Sequence, residues 1–159
     1  MELKVGDKIP HFIAKDTNGN DFDSQDVIEK KPLVIYFYPK DNTPGCTAQA
    51  CSFRDQYEDF KDLGAEVIGI SSDSVASHQK FTKQYKLPFI LLSDADKKIR
   101  NLFGVPSGMF GLLPGRVTYV TDKNGIIQLI FDSMLATKHI SKALEAIKKL
   151  NQLNINIKK

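Results

Sequence analysis

The sequence predicts an α/β domain built on a mixed sheet, and three observations carry that reading. Short apolar runs rich in β-branched and aromatic residues stand at 33–38, 66–71 and 89–93, and helical periodicity follows each of them. A strong hairpin signal, Asp122-Lys-Asn-Gly125, separates two more apolar runs near the end of the chain. At 159 residues, 42% hydrophobic and 26% charged, the chain is long enough for one full core and short for two. Strand, helix, strand, helix, then a hairpin and a last helix is a layered arrangement around a mixed sheet.

In chain order, residues 1–10 are a polar lead-in. His11 to Ala14 and Asp21-Phe22 can pair around Asn18-Gly19, giving an N-terminal β-hairpin. Ser24 to Lys30 suits one helical turn. Leu33 to Tyr38 is a buried strand. Pro39 to Pro44 is polar and turn-rich, with Thr43 a natural N-cap and Pro44 suited to the first helical position. From Cys46 the apolar residues Ala50, Phe53, Tyr57 and Phe60 continue a helical stripe, which Gly64 should end. A second strand at 66–71 leads through Ser72-Asp73-Ser74 into a helix reaching about Tyr85, stopped by Pro88. Phe89 to Ser93 is a third strand, and Ala95 to Leu102 a short helix closed by Gly104. Residues 105–115 read as a loop, an unusually apolar one, with Met109, Phe110, Leu112 and Leu113. Val117 to Thr121 and Ile126 to Ile130 form the hairpin. Ile140, Ala143, Leu144 and Ile147 mark a C-terminal amphipathic helix. The domain is expected to span residues 1–150, with 151–159 a polar, frayed C-terminal tail.

Composition narrows the function classes. The net charge of +3 comes from 22 basic and 19 acidic residues spread along the chain, so no nucleic-acid partner is indicated. No apolar run approaches the ~18 residues of a membrane span. The start, Met1-Glu-Leu-Lys-Val, lacks the apolar core of a signal peptide. A cytoplasmic protein is expected, the alternative being an organelle such as a plastid if a targeting segment has been removed. Two cysteines in a chain of this size make no disulfide scaffold and suit a reducing compartment where a close pair cycles.

The chemistry concentrates where the first buried strand gives way to a helix. A cysteine in the first turn of a helix faces unpaired N–H groups and the positive end of the helix dipole, which favour thiolate over thiol. Only the thiolate is a nucleophile, so Cys46 is the candidate reactive atom. The alternative is that Cys46 is a small buried hydrophobe on the core stripe.

The residues also resemble a known family. Pro39-x-x-x-Thr43-x-x-Cys46 is similar to the active-site motif of peroxiredoxins. Cys51, five residues on, resembles the peroxiredoxin Q subgroup, the bacterioferritin comigratory protein type. The likeness runs from Val5-Gly-Asp-Lys-Ile-Pro10 to about Leu150 and includes Gly69-Ile-Ser, Leu92-Ser-Asp94, Phe103-Gly-Val-Pro106 and Leu113-Pro-Gly-Arg116-x-Thr-Tyr-Val120. It implies a thioredoxin-like fold. It also implies a thiol peroxidase for hydrogen peroxide and organic hydroperoxides, without metal or organic cofactor, mostly monomeric and recycled by a thioredoxin-like dithiol. On this resemblance Cys46 attacks the peroxide and Cys51 resolves the sulfenic acid as a disulfide. Residues five apart in a helix rise ~7.5 Å and lie ~140° apart around the axis. A disulfide needs Cα atoms within about 7 Å and facing β-carbons. Closing Cys46–Cys51 therefore requires the helix to unwind between Thr43 and about Phe53.

Thiolate formation alone explains little of the rate. A thiol moved from ~8.5 to ~6 gains about thirtyfold in thiolate at pH 7 and returns about tenfold in nucleophilicity. The site must also hold the peroxide in line and stabilise charge on the departing oxygen. Thr43, the N–H groups near Gly45 and Cys46, and a cation fill those roles, with Pro39 and Gly45 supporting the pocket. Arg116 matches the distal arginine of the family motif; Arg54 and Arg100 compete for the part. The cluster Met109, Phe110 and Leu113 is either loop packing or an apolar wall beside the site. His11, His78 and His139 receive no catalytic role, and His78 reads as a partly buried helix residue.

Three rivals stand beside this reading. A general thiol–disulfide oxidoreductase of the same fold normally uses C-x-x-C, two residues tighter than here. A structural zinc module needs four ligands, and no histidine pair completes a set with Cys46 and Cys51. A catalytically idle interaction domain is the third.

Overall fold

Strand β3 (Leu33–Phe37) is the axis of the molecule: it is buried over its whole length because both faces are covered. The computed structural model describes residues 2–28, 30–105, 107–108 and 113–157, without the side chains of 107–108, 113–114 and 153–157. Period-2 alternation along β3 divides the core. Val34, Tyr36 and Tyr38 pack beneath α1 (Pro44–Asp55), α2 (Tyr57–Asp62), α3 (Val75–Tyr85) and α5 (Lys138–Ile157). Leu33, Ile35 and Phe37 face the other way, against α4 (Lys98–Phe103) and the N-terminal segment.

The main sheet has seven strands in the order β2-β1-β5-β4-β3-β8-β9. β3 pairs in parallel with β4 (Glu66–Ser71), and β4 with β5 (Ile90–Ser93). β8 (Val117–Thr121) runs antiparallel beside β3, placing Val117 opposite Phe37, and β9 (Ile127–Asp132) completes that edge. The other edge is the expected hairpin, β1 (Ile13–Lys15) with β2 (Asp21–Asp23), joined to β5 through Lys15 and Ser93. A mixed sheet with helices on both faces is thus the observed architecture. Gly69 is required at the centre: a Cβ there would stand 2.7 Å from Leu91 Cδ2 and 2.8 Å from the Tyr36 ring. That close approach seats Tyr36, which stacks on Phe53 at 4.7 Å and holds α1 to the sheet.

Several details depart from the sequence expectations. The helix expected from Cys46 to Leu63 breaks at Gln56, where ψ is 3°, into α1 and α2. The side chains flanking the break are tied to separate partners: Arg54 Nη1 donates to Tyr85 O at 2.8 Å and Tyr57 Oη to Glu66 at 2.7 Å. Gly64 then closes α2 with φ +80°, as anticipated. α3 ends before Pro88, at Lys86 in the left-handed region. The stretch read as a loop contains a two-stranded ribbon, β6 (Ser107–Gly108) with β7 (Leu113–Pro114). The last helix does not stop near Leu150 but continues to Ile157, and Asn151, where the tail was expected to begin, donates to Leu63 O at 3.3 Å. No helix of the described residues is long and apolar enough to cross a membrane.

Candidate active site

The loop leaving β3 sets the site. Thr43 takes the N-cap position of α1 with extended backbone, and Pro44 follows it into the first turn. The Thr43 hydroxyl does not cap the helix, as a threonine there usually does. It donates to Lys40 O at 2.9 Å, while the Thr43 carbonyl accepts from Thr47 N at 2.8 Å. The hydroxyl proton is thereby committed backwards, and the oxygen lone pairs remain as acceptors.

Cys46, the third residue of α1, is buried to 1% exposure, with its stripe neighbours Ala50 and Phe53 in the core. Its sulfur is met by Arg116, which precedes β8 and is itself only 4% exposed. Arg116 Nη2 donates to Cys46 Sγ at 3.3 Å, and Nη1 donates to Gln49 Oε1. Gln49 lies one helical turn beyond Cys46, so one face of α1 presents sulfur and amide oxygen to one guanidinium. A planar fork suits that pair of acceptors; a point charge would not. Gly45 leaves the room: a Cβ there would stand 3.1 Å from Arg116 Nη2. Arg116 Nε and Gln49 Nε2 are buried and find no hydrogen-bond partner among the described residues, so polar capacity remains at this end of the site. Tyr36, whose hydroxyl also finds no partner among the described residues, is pushed well up by burial and secondarily by its nearness to Cys46.

A cleft of about 530 Å³ opens above, lined by Pro39, Lys40, Thr43, Gly45, Ser72, Asp73, Lys97, Arg116 and Met134. Cys46 is not among the lining residues, but its chain neighbour Gly45 and its hydrogen-bond partner Arg116 both are. The structure thus brings Pro39, Thr43, Gly45, Cys46 and Arg116 together. Arg100 instead donates to Tyr38 O at 3.4 Å, and Arg54 bonds Asp55 and Tyr85 O. Cys51 is half-buried and free, on the same unbroken helix as Cys46. Of the anticipated apolar wall, Met109 and Phe110 lie outside the described residues. Leu113 is a strand residue paired with Gly108, its side chain not described. Among the described residues, the apolar side chains at the cleft are Pro39 and Met134.

Sequence reading missed four residues here. Gln49 carried a signal, a polar residue at helical spacing from Cys46 on the buried stripe. Met134 carried a fainter one, an apolar residue in the turn before the last helix. His78 is not partly buried but fully so, with Nδ1 2.7 Å from Asp41 Oδ2. His139, also fully buried, has Nε2 2.7 Å from Ser133 O and Nδ1 2.7 Å from Thr118 Oγ1. Because a carbonyl can only accept, Nε2 carries the proton and Thr118 donates to Nδ1. Ser133 N in turn donates to Arg116 O at 3.2 Å, so His139 braces the backbone that carries the arginine.

Burial, followed by the nearby Arg116 charge, brings the His139 pKa down to about 4. The unfolded chain binds this proton first, near pH 6.5. His139 therefore stabilises the fold fully above about pH 6.5, and the contribution is lost as pH falls towards 4. The expected size is on the order of 2–3 kcal/mol. Urea midpoints of wild type and His139→Gln at pH 7 and pH 4 check this: the wild-type advantage should shrink on acidification. An advantage that stays constant with pH would contradict it.

A buried cysteine at a helix start, beneath a buried arginine on a thioredoxin-like sheet, defines a thiol-based redox protein. The chain belongs to the AhpC/TSA family, whose pattern matches residues 5–130. Among curated relatives, peroxiredoxin Q, chloroplastic, of Sedum lineare is 53% identical over 150 residues, 94% of this chain and 80% of that one. The Arabidopsis thaliana protein of the same name is 54% identical over 148 residues, covering 92% and 68%. Among solved structures, peroxidoxin BcpB from Mycobacterium tuberculosis superimposes with a TM-score of 0.86 at 33% identity, covering 94% and 99%. The bacterioferritin comigratory protein of Xanthomonas campestris, described for its alkyl peroxide reduction activity, gives 0.80 at 28%, covering 88% and 92%.

Proposed function

We propose that this peroxiredoxin reduces hydrogen peroxide and organic hydroperoxides with Cys46 as the attacking sulfur, Cys51 as the resolving one and a thioredoxin-like dithiol as reductant. The observation that carries the reading is the Arg116 guanidinium 3.3 Å from a sulfur at the buried start of α1. The incoming hydroperoxide enters the cleft at Thr43, whose oxygen accepts its O–H proton in a hydrogen bond. The Cys46 thiolate attacks the terminal oxygen and the O–O bond breaks. Sulfur is oxidised to sulfenic acid, and the departing oxygen takes a proton and leaves as water or an alcohol. Arg116 stabilises the charge spreading over sulfur and both oxygens. Cys51 then attacks the sulfenic sulfur, an S–S bond forms, and the hydroxyl departs with a proton as water. Two thiols of the reductant reopen the disulfide and are oxidised in turn. The second step needs α1 unwound, since Cys46 and Cys51 now stand on an intact helix.

The mouth formed by Pro39, Met134 and the stems of Lys40 and Lys97 suits small alkyl hydroperoxides as well as hydrogen peroxide. The alkyl peroxide activity of the Xanthomonas campestris relative supports that breadth. The chloroplastic names of the plant relatives favour the organelle alternative over a cytoplasmic setting. The protein acts as a monomer in this reading.

Peroxide consumption with thioredoxin as donor tests the proposal, run beside insulin reduction. Turnover of hydrogen peroxide and of an alkyl hydroperoxide, with little insulin reduction, is expected. The opposite pattern would assign the chain to general thiol–disulfide exchange.

A further inference from the structure

Helix α3 grips both ends of the segment that must come apart when Cys46 and Cys51 join. At the upstream end the grip is a buried polar knot. The Asp41 carboxylate accepts from Tyr38 Oη at 2.6 Å and Ser77 Oγ at 2.9 Å, and faces His78 Nδ1 at 2.7 Å. The side chains of Asp41 and His78 are 1% and 0% exposed. His78 Nε2 donates to Leu92 O at 3.0 Å, which ties the knot to β5. The Asp41 amide donates to Asp73 Oδ2 at 2.8 Å, and Ser71 Oγ donates to the same oxygen at 2.6 Å. At the downstream end Arg54 reaches the last residue of the same helix, bonding Tyr85 O at 2.8 Å.

A buried carboxylate is costly unless its lone pairs are filled, and a filled one is a rigid, directional anchor. Apolar packing would hold the loop without that cost but with less definition. Asp41 is followed by Asn42 in the left-handed region and then by Thr43, so any slip of Asp41 moves the helix start and the peroxide acceptor together.

We propose that Asp41 and His78 are positioning residues that hold the loop bearing Pro39 and Thr43 fixed through the whole cycle. Arg54 pins the far end, and only residues 44–53 unwind. The proposal rests on Cys46–Cys51 closure as read above. Its consequence is that reduction finds the ends of α1 already placed, and a short segment closes between fixed points. The peroxide site then reassembles without a search by the rest of the loop.

Hydrogen exchange on the full chain, reduced and after oxidation with diamide, tests this independently of peroxidase activity. In the oxidised wild type, amides 48–53 should exchange about a hundredfold faster or more, while the amides of Asp41 and Phe60 keep their reduced-state rates. An Asp41 amide released together with α1, or failure of diamide to close the disulfide, overturns the proposal. Closure by diamide but not by peroxide would defeat the peroxidase reading alone, and the exchange map would still decide the anchor. Asp41→Asn and His78→Asn should slow peroxide attack on Cys46 about tenfold in rapid-quench mass spectrometry. Disulfide closure should keep its wild-type rate in both. Unchanged attack in both variants, or equal slowing of both steps, is the result expected of mere structural roles and contradicts positioning. The wild-type exchange map stands even where a variant folds poorly.

Discussion

Cys46→Ser should consume no peroxide above the uncatalysed rate, with thioredoxin present or absent. The alcohol fits the same space, 1% exposed and within reach of Arg116, so the fold should survive. It fails chemically: a serine hydroxyl at neutral pH is a poor nucleophile without an adjacent base, and oxygen has no counterpart of the sulfenic acid. Cys51→Ser should behave differently. It should consume one equivalent of peroxide at a near wild-type rate and then stall, until a small external thiol takes over resolution. Steady turnover by Cys46→Ser would remove the mechanism altogether; a slow first step in Cys51→Ser would show that the second thiol takes part in attack.

Arg116 carries the second large effect. Removing it as Arg116→Ala should cost on the order of 10²–10³ in kcat/KM, the range for losing a preorganised donor in a water-poor site. Arg116→Lys should recover little of this. Arg116 meets Cys46 Sγ through one guanidinium nitrogen and Gln49 Oε1 through the other. A lysine ammonium on a flexible stem reaches one or the other, without the plane that fixes both. Since the guanidinium acts on charge that grows in the transition state, the loss should fall on the second-order rate of Cys46 oxidation and spare disulfide closure. Rapid-quench mass spectrometry of each step measures this directly. An Arg116→Lys protein with near wild-type peroxide rates would mean that charge alone, without the fork, is enough.

What the sequence discloses depends on how local the cause is. The strand before the site, the helix that starts at Pro44 and the hairpin at Asp122 are all written in neighbouring residues, and the structure holds them where the pattern places them. The N-terminal hairpin is likewise legible, shifted at its first strand. The groups that organise the site are joined over distance: Arg116 and Gln49 are 67 residues apart, His78 and Asp41 37 apart. No local periodicity marks such pairs. His78 shares a helix stripe with Phe81 and Tyr85, and that stripe gives burial without naming the carboxylate opposite. The break at Gln56 was hidden because Cys46, Ala50, Phe53, Tyr57 and Phe60 keep one continuous stripe across it. Arg116 came forward only through the family motif; its geometry against the sulfur belongs to the folded chain.

The most direct test is a single turnover on Cys51→Ser: one equivalent of hydrogen peroxide, quenched with dimedone, and the modified residue located by peptide mass. One dimedone adduct per chain is expected, on Cys46, formed within the dead time of manual mixing. An unmodified Cys46, or an adduct that appears only with a large excess of peroxide, would contradict it.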